Sequence, residues 1–345
     1  MRKIKIALVG LGHPHSLGTA DTLLRMGDVI DLIGYADPSP DYCHPEHVGL
    51  SMRKECMDQM KRYTVEQLLA MDDLDAVVIE VEEEKATAYA RLFADKGVHI
   101  HLDKPGTHGY ASFERLVETC REKNLVLHMG YMYRYNAMVR KAMAMKKAGE
   151  FGEIYAVEAH MSLLYGQNMA SWIGKHKGGM MYYLGCHDID LVMQFMGGEP
   201  ELVIPFNCST GQYGLDNENY GYAVLKYKNG VSFVKSTCAE PQGYARRQLV
   251  INGSQATLEI KPIEMGAPNP TGVGLLLKAQ AVLARADGRQ AMESEPFDRY
   301  EGMLRAFVSY VRGEAENPYT YDYELALFRT VMKACGVCEE GENKI

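Results

Sequence analysis

The stretch Ile4-Lys5-Ile6-Ala7-Leu8-Val9-Gly10-Leu11-Gly12 determines how the N-terminal part of the chain folds. Six mostly apolar residues form a strand that runs directly into two glycines, and a helix-like pattern follows. The glycines allow a sharp turn and a close approach of the backbone to a diphosphate, which the N–H groups of the helix attract. Asp37 ends the next apolar run, where a carboxylate can bind ribose hydroxyl groups. The sequence therefore predicts a dinucleotide-binding site formed by Gly10, Gly12 and Asp37.

Residues 1–129 alternate between short apolar runs and helical patterns, which is typical of βαβ units and predicts a parallel sheet. Thr64 and Gln67 are spaced as a capping box at the start of one of the intervening helices. The predicted strands are Ile4–Val9, Ile30–Ala36, Ala76–Ile79, Val98–Leu102 and Val126–Met129. We expect a doubly wound Rossmann domain over residues 1–129.

Residues 130–345 have a different pattern, with longer segments rich in Tyr, Val and Ile. The pairs Asn229-Gly230 and Asn252-Gly253 lie between alternating runs and predict type I′ hairpins. Helices are predicted over 136–147, 181–196, 275–285, 303–311 and 323–334. The fold class is thus α/β, with the Rossmann domain followed by an α+β domain, residues 130–345, that carries a large, mostly antiparallel open sheet.

Composition excludes several classes of function. The 37 Lys and Arg residues are outnumbered by 45 Asp and Glu residues, giving a net charge of -8 without a basic stretch, so nucleic acid is not an expected partner. We find no signal-type apolar segment and no run long enough to cross a bilayer, which predicts a cytoplasmic protein without a membrane partner. The eight cysteines do not form a disulfide framework, and we interpret Cys335-x-x-Cys338 and the Cys43, His44, His47 group as structural. No metal site is expected.

Two further motifs carry residues suited to proton transfer. Asp103-Lys104-Pro105 ends the fifth predicted strand, where Lys104 can hydrogen-bond a substrate hydroxyl; the alternative is a surface lysine before a turn. Gly178-Gly179 precedes a helix on which Tyr183 and His187 lie one turn apart, with Asp190 three residues after His187. That histidine can equally be a structural residue of the domain core.

The order of these motifs resembles the glucose-fructose oxidoreductase, inositol dehydrogenase and rhizopine catabolism family, Gfo/Idh/MocA. The resemblance spans nearly the whole chain and rests on Gly10-Leu11-Gly12, Ala36-Asp37, Asp103-Lys104-Pro105, Gly130-Tyr131-Met132-Tyr133-Arg134-Tyr135-Asn136 and Gly178-Gly179 with Gly185-Cys186-His187 and Asp190. It implies oxidation of a secondary alcohol on a sugar or cyclitol. It also places Lys104 and His187 at catalytic positions and implies a homo-oligomer, dimer or tetramer, that is formed through the C-terminal sheet.

Three positions depart from the family pattern. His15 replaces the third glycine, Tyr183 replaces an aspartate four residues before the histidine, and Glu80-Val81-Glu82-Glu83 replaces the Thr-Pro-Asn segment beside the nicotinamide. The cofactor is expected to be NAD rather than NADP, because no arginine follows Asp37. Its expected contacts are Gly10, Gly12, His13, His15, Asp37, Glu80, Glu82, Glu83, Asp103 and Lys104.

The expected mechanism has His187 accept the proton of a substrate hydroxyl, because imidazole titrates near neutrality, while Lys104 polarises the oxygen. Tyr183 is a weaker candidate for acid/base work. Trp172 can stack on a sugar face or simply pack its domain. Tyr133 and Arg134 can contact substrate, and Arg134 can instead only tie the two domains together. The leading function is an NAD-dependent dehydrogenase acting on a carbohydrate, glycoside or cyclitol. A redox-neutral glycosidase or lyase that retains NAD and a non-catalytic dinucleotide-binding regulator are the alternatives.

Overall fold

The computed structural model describes residues 2–42, 44, 50–107, 109–268 and 275–337, with the backbone alone for residues 50–53. Cys43, His47 and Cys338, which we interpret from the sequence as structural, lie outside these ranges. Contacts within the chain define two compact units. Unit 1 comprises the described residues up to Tyr131 together with Tyr300–Leu325, and unit 2 comprises Met132–Arg299 and the described residues from Ala326 onward.

Unit 1 is built on a six-stranded parallel sheet of order β3-β2-β1-β4-β5-β6. This order confirms the Rossmann prediction, and the switch between β1 and β4 creates a crevice at the carboxyl ends of the strands. The strands β1, β4 and β5 are almost entirely buried because helices cover both faces. The elements are β1 Ile4–Val9, α1 Ser16–Arg25, β2 Ile30–Ala36, α2 Leu50–Asp58, β3 Arg62–Tyr63, α3 Val65–Leu69, β4 Ala76–Ile79, α4 Glu83–Lys96, β5 His99–Leu102, α5 Tyr110–Glu122 and β6 Leu127–Met129.

Unit 2 contains a mixed, mostly antiparallel sheet of eight strands, which confirms the predicted fold class. Its order is β16-β15-β12-β11-β7-β10-β9-β8, and the pair β7 and β10 is parallel. A small sheet of order β13-β14-β17 is separate. The elements are α6 Ala137–Lys147, β7 Ile154–His160, α7 Gln167–Ile173, α8 Cys186–Met196, β8 Leu202–Cys208, β9 Tyr220–Tyr227, β10 Gly230–Thr237, β11 Gln248–Gly253, β12 Thr257–Ile260, β13 Met265–Gly266, β14 Leu276–Lys278, β15 Gln280–Arg285, β16 Gly288–Glu293 and β17 Phe297–Asp298.

The C-terminal part of the chain returns to unit 1 through α9, Glu301–Val311. Leu304, Phe307 and Val308 belong to the same apolar core as β1 and α1. The division expected from the sequence, 1–129 and 130–345, differs from these two units by Tyr300–Leu325 and by residues 130 and 131. The last helix, α10, spans Tyr321–Ala334. None of the helices in the described ranges is long and apolar enough to cross a bilayer.

Two local predictions were wrong. Residues 275–285 are strands β14 and β15 rather than a helix, because β15 pairs with β12 and alternates exposed and buried residues. Both predicted hairpins are present, but their turns are not two-residue Asn-Gly turns. The first has Lys228 and Asn229 between paired residues, and neither has the positive φ of a type I′ turn. The second closes over four residues between Asn252 and Thr257.

Candidate functional site

The glycine turn after β1 brings three strands of unit 1 together. Gly10 has a φ of 93°, its N–H donates to the Ala36 carbonyl at 2.7 Å, and a Cβ on it would lie 2.6 Å from the Glu80 carbonyl oxygen. Only glycine fits such a position without displacing the end of β4. A side chain at Gly12 would collide with the ring of Tyr42. Helix α1 begins just beyond this turn with no acidic residue in its first turn, an arrangement that suits an anion such as a diphosphate.

Five of the predicted cofactor-lining side chains meet at the carboxyl edge of the sheet, and we call them the histidine–carboxylate cluster: His13, His15, Glu80, Glu83 and Asp103. His13 Nδ1 lies 2.9 Å from Asp103 Oδ2 and 3.1 Å from Glu80 Oε2, while its Nε2 lies 3.5 Å from Glu83 Oε1. His15 Nδ1 lies 2.7 Å from the same Asp103 oxygen. The side chains of His13, Glu80, Glu83 and Asp103 are buried, so their charges are poorly screened.

Burial and mutual charge shift the pKa values within this cluster strongly. Burial alone would lower the pKa of His13, but Asp103, Glu80 and Glu83 together raise it to about 10. Burial lowers the pKa of His15 to about 4, and burial together with Asp103 raises the pKa of Glu80 to about 7. The pKa of Asp103 is held well below its usual range by the two histidines, against the effect of burial. Such strong and opposed shifts are typical of functional sites.

Three further predicted residues of unit 1, Lys104, Glu82 and Asp37, lie in different surroundings. Lys104 is 1% exposed, so the alternative of a surface lysine is wrong. Its charge acts on His15 and Glu83, and its backbone N–H donates to Asp103 Oδ1 at 2.6 Å. Glu82 instead pairs with the ammonium group of Lys85 at 3.0 Å, at the N-terminus of α4. Asp37 directly follows β2, as predicted.

Tyr183 lies in unit 2 on a π-helical turn, Met181–Gly185, that continues into α8, and α8 carries His187. Such turns are rare and are frequent at functional sites. The turn is preceded by Gly178 and Gly179, both with positive φ, and a side chain at Gly179 would collide with the Glu218 carbonyl. His187 is 2% exposed and contacts the ring of Tyr133 edge-on, with centroids 5.0 Å apart.

Arg134 is bound to Asp190, the residue that the sequence had suggested as part of a proton-transfer group with His187. Its Nε and Nη2 atoms donate to both carboxylate oxygens at 2.8–3.1 Å, and Gln194 donates to the same carboxylate at 2.8 Å. Both members of this ion pair are buried. The pair lies entirely within unit 2, where it stabilises the start of α6 and α8 rather than presenting a free cation.

Tyr133 belongs to a second buried network of unit 2. Its hydroxyl donates to Glu264 Oε1 at 2.6 Å and accepts from Arg247 Nη1 at 3.0 Å, and Arg299 lies 2.8 Å from Glu264. Burial and the charge of Glu264 raise the pKa of the Tyr133 phenol. Glu264 stays charged because the two arginines hold its pKa below the usual value, against the effect of burial.

Trp172 is 7% exposed and packs among aromatic side chains of unit 2. Its ring meets His176 at 4.3 Å and Tyr183 at 5.3 Å between centroids, both edge-on. Tyr165 lies 6.4 Å from Tyr183 in the same group. Most of the Trp172 surface is therefore buried by packing within unit 2.

Sequence reasoning missed Asp188, Arg247 and Glu264 as members of buried polar sites. Asp188, next to His187, is fully buried, and burial raises its pKa well above the usual value, opposed in part by Arg247. Its place in the Cys186-His187-Asp188 motif was the available signal, whereas Arg247 and Glu264 lie directly before β11 and β13, outside any motif.

Together, these features define a dinucleotide-binding oxidoreductase with a Rossmann unit and an α+β unit. Residues 4–131 match the family model described as "Oxidoreductase family, NAD-binding Rossmann fold", and residues 139–259 match the "GFO/IDH/MocA C-terminal domain". The chain belongs to the Gfo/Idh/MocA oxidoreductase family, as the sequence motifs had indicated.

Relatives within this family act on sugars. The chain is 26% identical over 270 residues to D-xylose 1-dehydrogenase (NADP(+)) 2 of Haloferax volcanii, covering 77% of this chain and 78% of that protein. It is 27% identical over 207 residues to the 2,7-anhydro-N-acetylneuraminate hydratase of Mediterraneibacter gnavus, covering 59% and 52%. The crystal structure of aldose-aldose oxidoreductase from Caulobacter crescentus has the same fold, with a TM-score of 0.79, 16% identity and 99% coverage of both chains.

Proposed function

We propose that this protein transfers hydride between a nicotinamide cofactor and a secondary alcohol of a sugar, glycoside or cyclitol. The observation that carries the proposal is the burial of Lys104 at the carboxyl end of β5, beside the histidine–carboxylate cluster and the glycine turn. Ligands of a Rossmann sheet collect at this edge, where a lysine can donate a hydrogen bond to a substrate oxygen. The sugar-directed names of the relatives support the substrate class.

The residues of unit 1 fit a dinucleotide. The turn at Gly10 and Gly12 leads into the N-terminus of α1, which suits a diphosphate, and Asp37 follows β2 where a ribose binds. We propose NAD rather than NADP, because the Lys85 ammonium group near the end of β2 already pairs with Glu82. The NADP specificity of the Haloferax relative makes this a distinction to measure: kcat/KM with NAD is expected to exceed kcat/KM with NADP.

Bound nicotinamide would supply the hydride acceptor, and the chain supplies the proton chemistry. We propose that Lys104 donates a hydrogen bond to the substrate oxygen and that the His187 imidazole accepts the hydroxyl proton. Tyr183 is the weaker candidate for this second role, because an unperturbed phenol has a pKa of about 10. Tyr133, Arg134 and Trp172 keep their networks in unit 2, and their contribution to substrate binding is proposed as support of the surrounding surface.

The test is a screen of sugars, glycosides and inositols with NAD and NADP, in which NADH absorbance and product mass are measured in parallel. On an active substrate, Lys104→Met and His187→Asn are each expected to lower kcat at least about 100-fold, the low end of general acid–base contributions. Lys85→Met is the matched control, because Lys85 is a half-exposed lysine of the same unit and should leave kcat unchanged. Near-normal turnover of Lys104→Met would remove this lysine from the mechanism.

A redox-neutral reaction is the second candidate, since one relative is a hydratase. Bound nicotinamide would supply a reversible hydride acceptor for such a reaction, in which transient oxidation of a sugar carbon would acidify the neighbouring C–H and permit elimination or addition without net oxidation. Glu80, whose pKa is raised to about 7, titrates where an acid/base residue is useful. Substrate conversion with tightly retained NAD and no consumption of added NAD would favour this reaction over net oxidation.

We also propose that the protein forms a homo-oligomer through the exposed face of its eight-stranded sheet. Phe206, Tyr222, Phe233 and His160 form a continuous row of rings on adjacent strands, with centroids 5.6–6.4 Å apart. Phe206 is 55% exposed, which is unusual for such a row in a monomer. Light scattering after size-exclusion chromatography is expected to give a dimer or tetramer, and Phe206→Glu is expected to dissociate it.

A further inference from the structure

His13, His15 and Asp103 hold three potential ligand atoms within 4.8 Å of one another at the carboxyl edge of the unit 1 sheet. The two histidines come from the turn after β1 and Asp103 from the end of β5. Both imidazoles direct Nδ1 at the same Asp103 oxygen, Oδ2, at 2.9 and 2.7 Å. Imidazole nitrogens and a carboxylate oxygen that converge in this way are a donor set for a divalent metal ion.

The neighbouring groups orient these atoms as second-shell partners do in metal sites. Asp103 Oδ1 accepts the backbone N–H of Lys104 at 2.6 Å, which leaves Oδ2 for the histidines. Glu80 Oε1 accepts from Thr19 Oγ1 at 2.8 Å, which leaves Oε2 facing His13 Nδ1 at 3.1 Å. Glu80 is 1% exposed, and its Oε2 is buried with no hydrogen-bond partner. A fourth oxygen is therefore directed at the same place.

Three polar groups surround His13 Nδ1. The atom faces Asp103 Oδ2, Glu80 Oε2 and the backbone N–H of His15, which donates to it at 3.3 Å. With a proton, Nδ1 donates to the carboxylate oxygens. Without a proton, its lone pair and these oxygens can be shared by one cation. His13 Nε2 then remains beside Glu83 Oε1, at 3.5 Å, as in the carboxylate–histidine–metal arrangement.

The carboxylates of Asp103, Glu80 and Glu83 surround the two imidazoles, and Lys104 acts on Glu83. Metal binding requires neutral imidazoles, so a divalent cation would replace the proton of His13 and compensate the carboxylates in its place.

We propose that His13, His15 and Asp103, with Glu80 as the fourth ligand, bind one divalent first-row transition metal ion. Two imidazoles and two carboxylates suit Zn²⁺, Co²⁺, Fe²⁺ or Mn²⁺, in contrast to the all-oxygen sites of Mg²⁺ and Ca²⁺. The site goes beyond the proposed hydride transfer, which needs no metal ion, and binding is measured without reference to activity.

The test uses the full chain, stripped with a chelator, dialysed and titrated with Co²⁺ and, separately, with Zn²⁺. Visible absorption reports the geometry of Co²⁺, and elemental analysis reports the Zn²⁺ stoichiometry. Wild-type protein is expected to bind one equivalent, His13→Gln and His15→Gln to bind at least about 100-fold more weakly, and Thr19→Val about 10-fold more weakly. His99→Gln, which removes a histidine of unit 1 from the first residue of β5, is the matched control and should bind as wild type does.

Circular dichroism and thermal unfolding of the stripped variants confirm that each is folded, and NAD binding is measured on the same samples. Failure of stripped wild-type protein to bind either ion would overturn the proposal, as would equal affinities of His15→Gln and wild type. In both cases His13 would be held as an imidazolium among the carboxylates. NAD binding that persists in such a result would leave the proposed function standing, so the two failures are distinguishable.

Discussion

Two regions of this molecule bury charged side chains, and the charge is compensated differently in each. In unit 2, the negative charges of Asp190 and Glu264 meet arginines, whose charge is permanent, through several hydrogen bonds each. In unit 1, three carboxylates surround His13 and His15, whose charge depends on pH and on what binds them. The comparison teaches that buried charge alone does not mark function. The unit 2 networks are fixed structure, whereas the histidine–carboxylate cluster can respond to a proton, a metal ion or a ligand.

The largest effect is expected from breaking the unit 2 ion pair. Asp190→Asn leaves the buried guanidinium of Arg134 uncompensated, and the free energy of unfolding should fall by about 3–5 kcal/mol. Urea unfolding followed by the fluorescence of Trp172, the single tryptophan, measures this in unit 2. Glu199→Gln is the control, because its pair with Arg329 is about one third exposed and should cost at most about 1 kcal/mol. Equal losses of unfolding free energy in the two variants would show that the buried pair stabilises the fold no more than the exposed pair does.

The second largest effect is expected from a substitution in the glycine turn of unit 1. Gly10→Ala places a side chain at a φ of 93° and against the Glu80 carbonyl, so the turn must distort. The dissociation constant of NAD, measured by calorimetry, should rise at least about 10-fold, a change of about 1.4 kcal/mol. Gly27→Ala has open space around its Cβ and should leave affinity unchanged. Unchanged NAD affinity in Gly10→Ala would place the cofactor elsewhere.

Two titrations of unit 1 histidines should appear on opposite sides of neutrality. His101, buried against His128 with Nδ1 atoms 2.7 Å apart, has its pKa lowered by burial to about 4. Between pH 6.5 and 4, the unfolded chain takes up a proton that the folded chain does not, so stability falls as pH falls. His13 behaves in the opposite way, because its raised pKa adds stability below pH 6.5 that is lost as pH rises towards 10.

Urea unfolding of metal-free protein across this pH range checks both titrations. The free energy of unfolding of His101→Gln should fall less steeply than that of wild type as pH falls from 6.5. That of His13→Gln should fall less steeply than that of wild type as pH rises towards 10. The slopes are compared rather than the absolute stabilities, because each substitution also changes packing. If a variant keeps the wild-type slope of unfolding free energy against pH, the histidine it lacks does not cause that pH dependence.

The smallest effect is expected for the substitution of Glu82, and comparison with Glu80 distinguishes the roles of these two carboxylates. Glu82→Gln should change NAD and Co²⁺ affinity less than about 2-fold, because Glu82 pairs with the half-exposed Lys85. Glu80→Gln should weaken Co²⁺ binding at least about 10-fold, since Glu80 Oε2 faces His13. Titrations of the two variants side by side measure the difference. Similar affinities in both would mean that the cluster does not extend to the end of β4.

Local pattern predicted much of the fold. The strands Ile4–Val9, Ile30–Ala36 and Ala76–Ile79 were predicted with their observed bounds, and Thr64 and Gln67 do form a capping box. Residues 275–285 were assigned to a helix because Leu, Ala, Lys and Gln favour helices locally, whereas pairing with β12 decides their structure. The return of α9 to unit 1 depends on long-range packing of Phe307, which leaves no local signal.

The candidate site was predictable in its members but not in its arrangement. His13, Glu80 and Asp103 each follow one of the adjacent strands β1, β4 and β5, whose carboxyl ends meet at one edge. That rule brings the three together from sequence, yet it does not show that Glu82 points away to Lys85. The partner of Arg134 was likewise hidden, because Asp190 lies 56 residues away along the chain and both readings of the arginine fit the motif.

Isotope transfer tests the proposed hydride chemistry most directly. The protein is incubated with nicotinamide cofactor that carries deuterium at the reactive carbon and with oxidised forms of the sugars found active in the screen, and the sugar mass is measured. We predict that deuterium appears in the sugar with wild-type protein and is reduced at least about 100-fold by Lys104→Met. Bound cofactor without any deuterium in the product, across the whole set of sugars, would contradict the account.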